Sequence, residues 1–250
     1  MAAPASNLKS EEKEVYCTAL RLYSWTPTTF IKREVPPERR KKNRQGEWII
    51  DPFVKELLQI ETSALKLLSK SKIKVPKVID GGLDEKGLAF VETELWGGIP
   101  GSRVREECRM PDGMKHIDTG ECMLCEKKAW ANAESYITNV VLPEFKKLKS
   151  KTMGLDGMLV PPPWVRYHDK RPTWIPKTSD TDRYVFCNWD VGPHNMMFEN
   201  RTLNVIGAYD WEGAGFLPPE FQFMNVSRQD FDAQFEDVPK VRRLIQLLDA

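Results

Sequence analysis

Hydrophobic and polar positions change period several times along the 250-residue chain, and each change predicts an element. The first 15 residues are polar and predict a frayed segment. Between Thr18 and Val35 two extended runs, TALRLYSW and FIKREV, flank a Thr-Pro-Thr-Thr break. PPERRKKNRQGEW follows as a basic, solvated loop. The period then lengthens. Asp51 is a suitable N-cap, Pro52 suits the first helical position, and Val54, Leu57, Ala64, Leu65 and Leu68 recur on one helical face. KVPKVIDGGLDEKGLAFVETEL predicts a strand, a glycine-rich turn and a second strand from Leu88 to Leu95. WGGIPGS breaks the pattern as an interlobe linker, and a polar, irregular insertion occupies 102–126. Helical spacing returns at Lys127 and runs to about Lys149, with Ala129, Ala133, Ile137, Val140 and Val141 on one side and Pro143 placed to kink or divide it. PPPW at 161–164 and RPTWIPKTSD are expected loops. Short strands are expected near 184–187, 196–198 and 203–209, with ENRT turning between the last two.

One polar residue breaks the apolar stripe of the first helix. Glu61 lies seven residues from both Val54 and Leu68. An inward carboxylate requires a cation or strong donors; the alternative is an edge position that reaches water.

Composition narrows the function classes. Hydrophobic residues make up 41% of the chain and charged residues 29%, with a formal net charge of +1. This balance supports a packed core and supplies no global field for nucleic acid or an anionic membrane. No run of 18 apolar residues predicts a membrane span, and the N-terminal segment lacks the apolar core of a signal peptide. Five cysteines, an odd number, fit a reducing, cytoplasmic location rather than a disulfide framework.

The densest chemistry lies late in the chain. Asp190 and Asn195 sit five residues apart in CNWDVGPHNMMF, and a second apolar run leads to Asp210 in YDWEG. Phosphoryl transfer from ATP needs a carboxylate at the acceptor hydroxyl, and an amide oxygen and a second carboxylate on Mg²⁺. Asp190, Asn195 and Asp210 supply those groups, and the intervening hairpin folds the acids toward each other. Ordinary turn residues are the alternative, since Asp and Asn cap backbone groups well.

VFCNWDVGPHNMMF followed by LNVIGAYDWEGAGFLPPEF resembles the catalytic segment of the aminoglycoside phosphotransferase and choline kinase-like proteins, small-molecule relatives of the protein kinases. Asp190, Asn195, Asp210, Trp211 and Glu212 match the family pattern position by position. TTFIKRE resembles the strand carrying the ATP-phosphate lysine, which makes Lys32 the candidate and Glu61 its ion-pair partner. IKVPKVID resembles the segment after that helix, and FVETEL the strand entering the hinge, so Glu92 and Glu94 fall where backbone groups receive adenine. The resemblance covers about residues 28–98 and 180–222 and is strongest among fungal members without an assigned substrate.

The resemblance implies an α+β, protein-kinase-like bilobal fold. A small sheet-and-helix N-lobe would span 1–95, and a mainly helical C-lobe 96–250, with the catalytic loop at 187–195 and Asp-Trp-Glu at 210–212. It implies ATP and Mg²⁺ as cofactors and a small-molecule hydroxyl as acceptor. Asp190 would accept the proton, Asn195 and Asp210 would hold the metal, and Lys32 would meet the phosphates. No acidic cluster after Glu212 selects a polycationic substrate.

Three departures oppose that reading. Asn188 replaces the pattern's histidine, no glycine precedes Gly46, and only 38 residues follow Glu212. A shortened upper lobe, lacking a strand or using a shortened hairpin, is therefore expected, with a smaller or more open substrate pocket. The rival function is a non-catalytic kinase-like interaction module.

The insertion carries Cys108, His116, Cys122 and Cys125, a donor set for tetrahedral Zn²⁺. A polar loop with free thiols, or Cys122 and Cys125 in the first turn of the next helix, are the alternatives. His194 and His168 are expected to pack or hydrogen-bond locally, and Cys187 to be a core thiol.

Overall fold

The computed structural model describes residues 13–222 and 228–249. Residues 1–12 of the segment expected to fray lie outside them, and its last three residues do not fray: Lys13–Cys17 forms strand β1. Strands β2 (Arg21–Trp25) and β3 (Thr29–Glu34) follow the alternating runs on either side of the Thr-Pro turn. Helix α1 (Val54–Leu68), β4 (Val78–Leu83) and β5 (Ala89–Glu94) complete an antiparallel five-stranded sheet of order β1-β2-β3-β5-β4 with one helix on it. Of the two forms expected for a shortened upper lobe, the sheet has the short hairpin: β1 and β2 are joined by only Thr18, Ala19 and Leu20.

Register decides what the sheet offers the site. Tyr23 lies opposite Lys32, and Lys32 opposite Val91; Trp25 lies opposite Phe30, and Phe30 opposite Thr93. Residues directly opposite in antiparallel strands share a face, as do residues two apart. These six side chains therefore form one continuous surface. Glu92, opposite Ile31 and Asp80, belongs to the other face.

Helix α1 begins at Val54, three residues later than the predicted cap. Asp51 shapes the preceding turn instead, accepting the Phe53 amide at 3.0 Å and the Arg166 guanidinium at 2.9 and 3.1 Å. The helix feeds two hydrophobic cores. Leu58, Leu65 and Leu68 enter one with the β5 residue Val91 and the later residues Phe145, Phe198 and Trp211. Leu57 and Ile60 enter the other with Trp164, Tyr184 and Leu244. Burying each leucine contributes roughly 1.5–3 kcal/mol, so the helix ties the early and late parts of the chain together.

After the sheet the chain is mainly helical. The expected linker contains a two-residue strand, β6 (Ile99–Pro100), and a 3₁₀ segment, Gly101–Glu106. Helix α2 (Met123–Tyr136) widens into a π turn over Ile137–Val141 before the short α3 (Leu142–Phe145). Pro143, in the first turn of α3, has no amide to continue the α-helical ladder, so the break falls where proline predicts it. Strand β7 (Lys149–Ser150) comes next. PPPW is not wholly a loop: Pro163 opens helix α4 (Pro163–His168), which buries Trp164 and Val165. Strands β8 (Tyr184–Asn188), β9 (Met196–Phe198), β10 (Val205–Ala208) and β11 (Ala214–Leu217) form two small antiparallel sheets, β10-β9-β6 and β11-β8-β7. Helices α5 (Arg228–Glu236) and α6 (Val238–Asp249) end the described chain, with Val241, Leu244 and Leu248 of α6 buried in the second core. No helix among the described residues is long and apolar enough to cross a membrane.

Candidate active site

Lys32 lies in the middle of the sheet and is only 3% exposed. A lysine there loses its hydration and needs compensation. Its ammonium meets three carboxylates: Glu61 Oε2 at 3.0 Å, Asp210 Oδ1 at 2.7 Å and Glu212 Oε2 at 2.7 Å. An ammonium has three N–H groups, so one donor is available for each acid. The inward glutamate of the first helix therefore has its cation, and it shares that lysine with Asp210, 178 positions from Lys32 in sequence.

Charge does not balance locally. Arg21, buried at the start of β2, also reaches Glu212 Oε2, at 3.1 Å. Two cations thus face three carboxylates, and the cluster has one surplus negative charge if all are ionised. Burial alone would depress the Lys32 pKa, but Asp210, Glu212 and Glu61 hold it well above its ordinary value. Burial pushes the Glu61 carboxyl up, against the pull of Lys32, and Asp210 and Glu212 push it further. Burial also raises Asp210, opposed by Lys32 and reinforced by Glu212. For Glu212 burial is overcome by Lys32 and Arg21, which bring it down to about 2. The surplus is therefore felt at Glu61 and Asp210, whose charged forms are the disfavoured ones.

The backbone at Asp210 is unusual. Its φ of 62° lies in the left-handed region, which costs a non-glycine residue roughly 1–2 kcal/mol. Flanking bonds hold it there. The Trp211 amide donates to Glu61 Oε1 at 3.3 Å and the Trp211 indole to the Ala208 carbonyl at 3.1 Å. The same glutamate therefore braces both the lysine and the turn that presents Asp210.

The loop after β8 carries the other predicted residues. The Asn195 amide nitrogen donates to the Asp190 carbonyl and to Asp190 Oδ2, both at 3.0 Å, which leaves its amide oxygen as the ligand-type atom. His194 Nε2 lies 3.1 Å from Asp190 Oδ1. The loop is joined to the turn after β10 by the Tyr209 amide, which donates to the Asn195 carbonyl at 2.9 Å. Asn188, where the family pattern has histidine, braces the same junction. Its Oδ1 accepts the Asp190 amide at 3.1 Å, and its Nδ2 donates to the Asp210 carbonyl at 3.5 Å. Asp190 also contributes to the raised pKa of Asp210, so the two acids sense each other's charge.

Above the cluster the cleft has a volume of about 530 Å³. Tyr23, Trp25, Phe30, Val91 and Thr93 form its sheet wall, and Met197 and Tyr209 lie among its other lining residues. Glu94 lines it too, with its carboxylate accepting the Lys77 amide at 3.1 Å and the Trp96 indole at 2.8 Å. Glu92 does not; register puts its side chain on the sheet's outer face. The amides of Glu94 and Leu95 donate to Lys77 and Thr28 carbonyls at 2.9 and 2.8 Å, so they are engaged within the sheet.

This sheet order, with a buried lysine on the third strand, its glutamate on the helix, and a loop and turn bearing acids below, decides the architecture. The chain has an α+β, protein-kinase-like fold. Similarity to solved structures is distant. The putative aminoglycoside phosphotransferase of Ralstonia eutropha is 14% identical with a TM-score of 0.42, over 99% of this chain and 75% of that one. An aminoglycoside phosphotransferase of Streptomyces rimosus, solved with ADP and streptomycin, is 16% identical with a TM-score of 0.37, over 96% of this chain and 92% of its own. Monomeric WbdD is 14% identical with a TM-score of 0.39 over 78% of this chain, which spans 32% of the WbdD chain. No protein-family model and no curated protein matches the sequence.

One participant escaped the sequence reading. Arg21 carries no local signal, since only the fold brings β2 to Glu212. His194 hydrogen-bonds within its loop as expected, with Asp190 as the partner. Cys108, His116, Cys122 and Cys125 form a separate cluster, with ligand atoms all within 4.8 Å of one another. His168 Nε2 lies 2.9 Å from the Phe235 carbonyl, and Cys187 is a buried thiol.

The depressed Glu212 pKa has a stability consequence. A lowered carboxylate pKa stabilises the fold above its unfolded value, near 4.5, and that stability is lost as pH falls toward about 2. Glu212→Gln should therefore unfold more easily than the parent at pH 7, by on the order of 2–3 kcal/mol, and the difference should shrink toward pH 3. Urea denaturation at both pH values measures this; an unchanged difference would contradict the assignment.

Proposed function

We propose that the chain is a Mg²⁺-dependent phosphotransferase that moves the terminal phosphoryl group of ATP to the hydroxyl of a small molecule. The observation that carries this reading is the 2.7 Å approach of the Lys32 ammonium to Asp210, with Asp190 and Asn195 hydrogen-bonded to each other on the adjoining loop. Charge supports it as well. The cluster's surplus negative charge and the raised Asp210 pKa mark a place where another cation is favoured, and the available donors are the hard oxygens Mg²⁺ prefers.

In this reading residues 1–95 form the nucleotide-side lobe and 96–250 the catalytic lobe. Lys32, oriented by Glu61, neutralises phosphate oxygens. Asp210 and the Asn195 amide oxygen hold the metal, which when bound neutralises charge on the transferring phosphoryl group. Asp190 orients the acceptor hydroxyl and takes its proton. The aromatic and aliphatic sheet wall sandwiches the base. Since Glu94 and Leu95 spend their amides within the sheet, the free hinge contacts fall after them, toward Trp96 and Gly98. Positioning and fixed charge supply the rate gain.

One observation favours a second reading, a non-catalytic nucleotide-blind module. The β1–β2 turn has no glycine, and its Leu20 and Arg21 amides donate to Thr18 Oγ1 at 3.2 and 2.7 Å. Those donors are engaged by the turn itself rather than left for phosphate. The two readings separate on binding. The phosphotransferase reading expects ATP with Mg²⁺ to stabilise the protein by about 2.7 kcal/mol at 100 times Kd, and Asp210→Ala to lose the Mg²⁺-dependent part. A wild type whose melting temperature ignores ATP with and without Mg²⁺ supports the module. Asp190→Asn should then bind nucleotide within threefold of wild type and lose at least about 100-fold in turnover, the scale of a general base.

His194 adds a pH dependence. Its hydrogen bond to Asp190 raises its pKa above the ordinary 6.5, with burial opposing and the Asp190 and Asp210 charges assisting. The imidazolium pair is present below 6.5 and is lost as pH rises through the raised value. Asp190 then becomes free to accept a proton, so turnover should rise with pH through a value above 6.5. His194→Ala should remove that limb from the pH–rate profile; an identical profile in the variant contradicts the role.

A further inference from the structure

We propose that Cys108, His116, Cys122 and Cys125 bind one structural Zn²⁺, and that this ion clamps the segment on which the catalytic loop rests. The four residues come from the irregular insertion and the start of α2, yet their donor atoms converge. Cys108 Sγ lies 3.9 Å from Cys125 Sγ and 3.8 Å from His116 Nδ1; that nitrogen lies 3.4 Å from Cys122 Sγ and 3.7 Å from Cys125 Sγ. Zn–S bonds of about 2.3 Å and Zn–N bonds of about 2.0–2.1 Å in a tetrahedron give S···S edges of about 3.8 Å and S···N edges of about 3.6 Å. The observed separations are the edges of such a tetrahedron. They are much too long for a disulfide, and all five cysteines are free thiols.

The surroundings agree. The Arg109 amide donates to Cys125 Sγ, and the His116 amide to Cys108 Sγ, both at 3.3 Å. Amides aimed at sulfur stabilise thiolates, the form that binds metal. Residues 111–121 are exposed apart from half-buried Ile117 and Asp112, Asp118 and Glu121 add charge, so this stretch has almost no apolar surface to hold it. A loop that cannot bury a core of its own needs a cross-link, and three thiolates with an imidazole favour Zn²⁺ over hard cations.

The clamp reaches the catalytic loop through backbone. The Cys122 amide donates to the Arg105 carbonyl at 2.8 Å, and the Arg109 side chain donates to the Val104 carbonyl at 3.2 Å and the Arg103 carbonyl at 2.6 Å. These bonds fix the 3₁₀ segment Gly101–Glu106. At its start Gly101 is so close to the loop that a Cβ there would stand 1.8 Å from the Pro193 carbonyl oxygen. The next two residues of that loop are His194 and Asn195. A metal outside the nucleotide cleft would thereby set the position of residues within it.

Metal binding is independent of the phosphotransferase reading, and its test needs no activity. Elemental analysis of full-length protein purified without chelator should find one zinc per chain. Replacement by Co²⁺ should give the visible d–d and thiolate charge-transfer bands of a tetrahedral site. His116→Ala alters an exposed residue and should fold, yet should weaken metal binding by more than the roughly 10–100-fold that loss of an outer-shell partner costs. Chelation should accelerate amide hydrogen exchange at 101–106 and at His194 and Asn195. Substoichiometric zinc with no cobalt spectrum overturns the site. Stoichiometric zinc with unchanged exchange at His194 and Asn195 overturns the clamp.

Discussion

One ammonium group organises this molecule. Lys32 is placed in the centre of a sheet, where a lone charge would be costly, and three carboxylates from α1 and the turn after β10 converge on it. Removing any one would leave a buried charge less well satisfied. The pairing therefore constrains more than its own residues. It fixes the face of β3 toward α1, the rotation of α1, and the approach of the late turn to the early sheet.

The same contacts hold Asp210 in an unfavourable backbone and electrostatic state. Asp210 adopts a left-handed backbone and has its pKa raised, largely by burial. Glu61 holds both the lysine and the Trp211 amide. Arg21 takes up part of the excess charge at Glu212, which leaves the imbalance on Glu61 and Asp210. In the proposed reaction, a metal and a triphosphate would redistribute contacts that now run directly between lysine and aspartate. A site with surplus negative charge and strong internal pairing is suited to accept a cation in exchange for part of that pairing.

The sequence disclosed the pieces of this arrangement unevenly. Glu61 was visible because a carboxylate interrupting an apolar helical stripe demands a partner. Asp190, Asn195 and Asp210 were visible because their spacing around a hairpin matches a known pattern. Arg21 was not, since a charged residue in an alternating strand reads as solvent-facing until the fold supplies Glu212. Strand β1 was missed because its charged start, Lys13 and Glu14, continues the polar segment and it pairs only at the sheet's edge. Glu92 and Glu94 were named for their backbone; of their side chains only Glu94 lines the cleft, because a strand turns alternate side chains away. The start of α1 shifted because Asp51 spends its carboxylate on Phe53 and Arg166. Where the pattern has histidine, Asn188 bridges the loop and the Asp210 turn with its own amide.

The central claim is that Lys32 and Asp210 are energetically joined across the chain. A double-mutant cycle on urea stability, using Lys32→Met, Asp210→Asn and the combination, measures this directly without ligand or substrate. The account predicts a coupling energy of about 1 kcal/mol or more, in the range for residues in one buried network. Additivity within about 0.3–0.5 kcal/mol, the behaviour of distant sites, would contradict it.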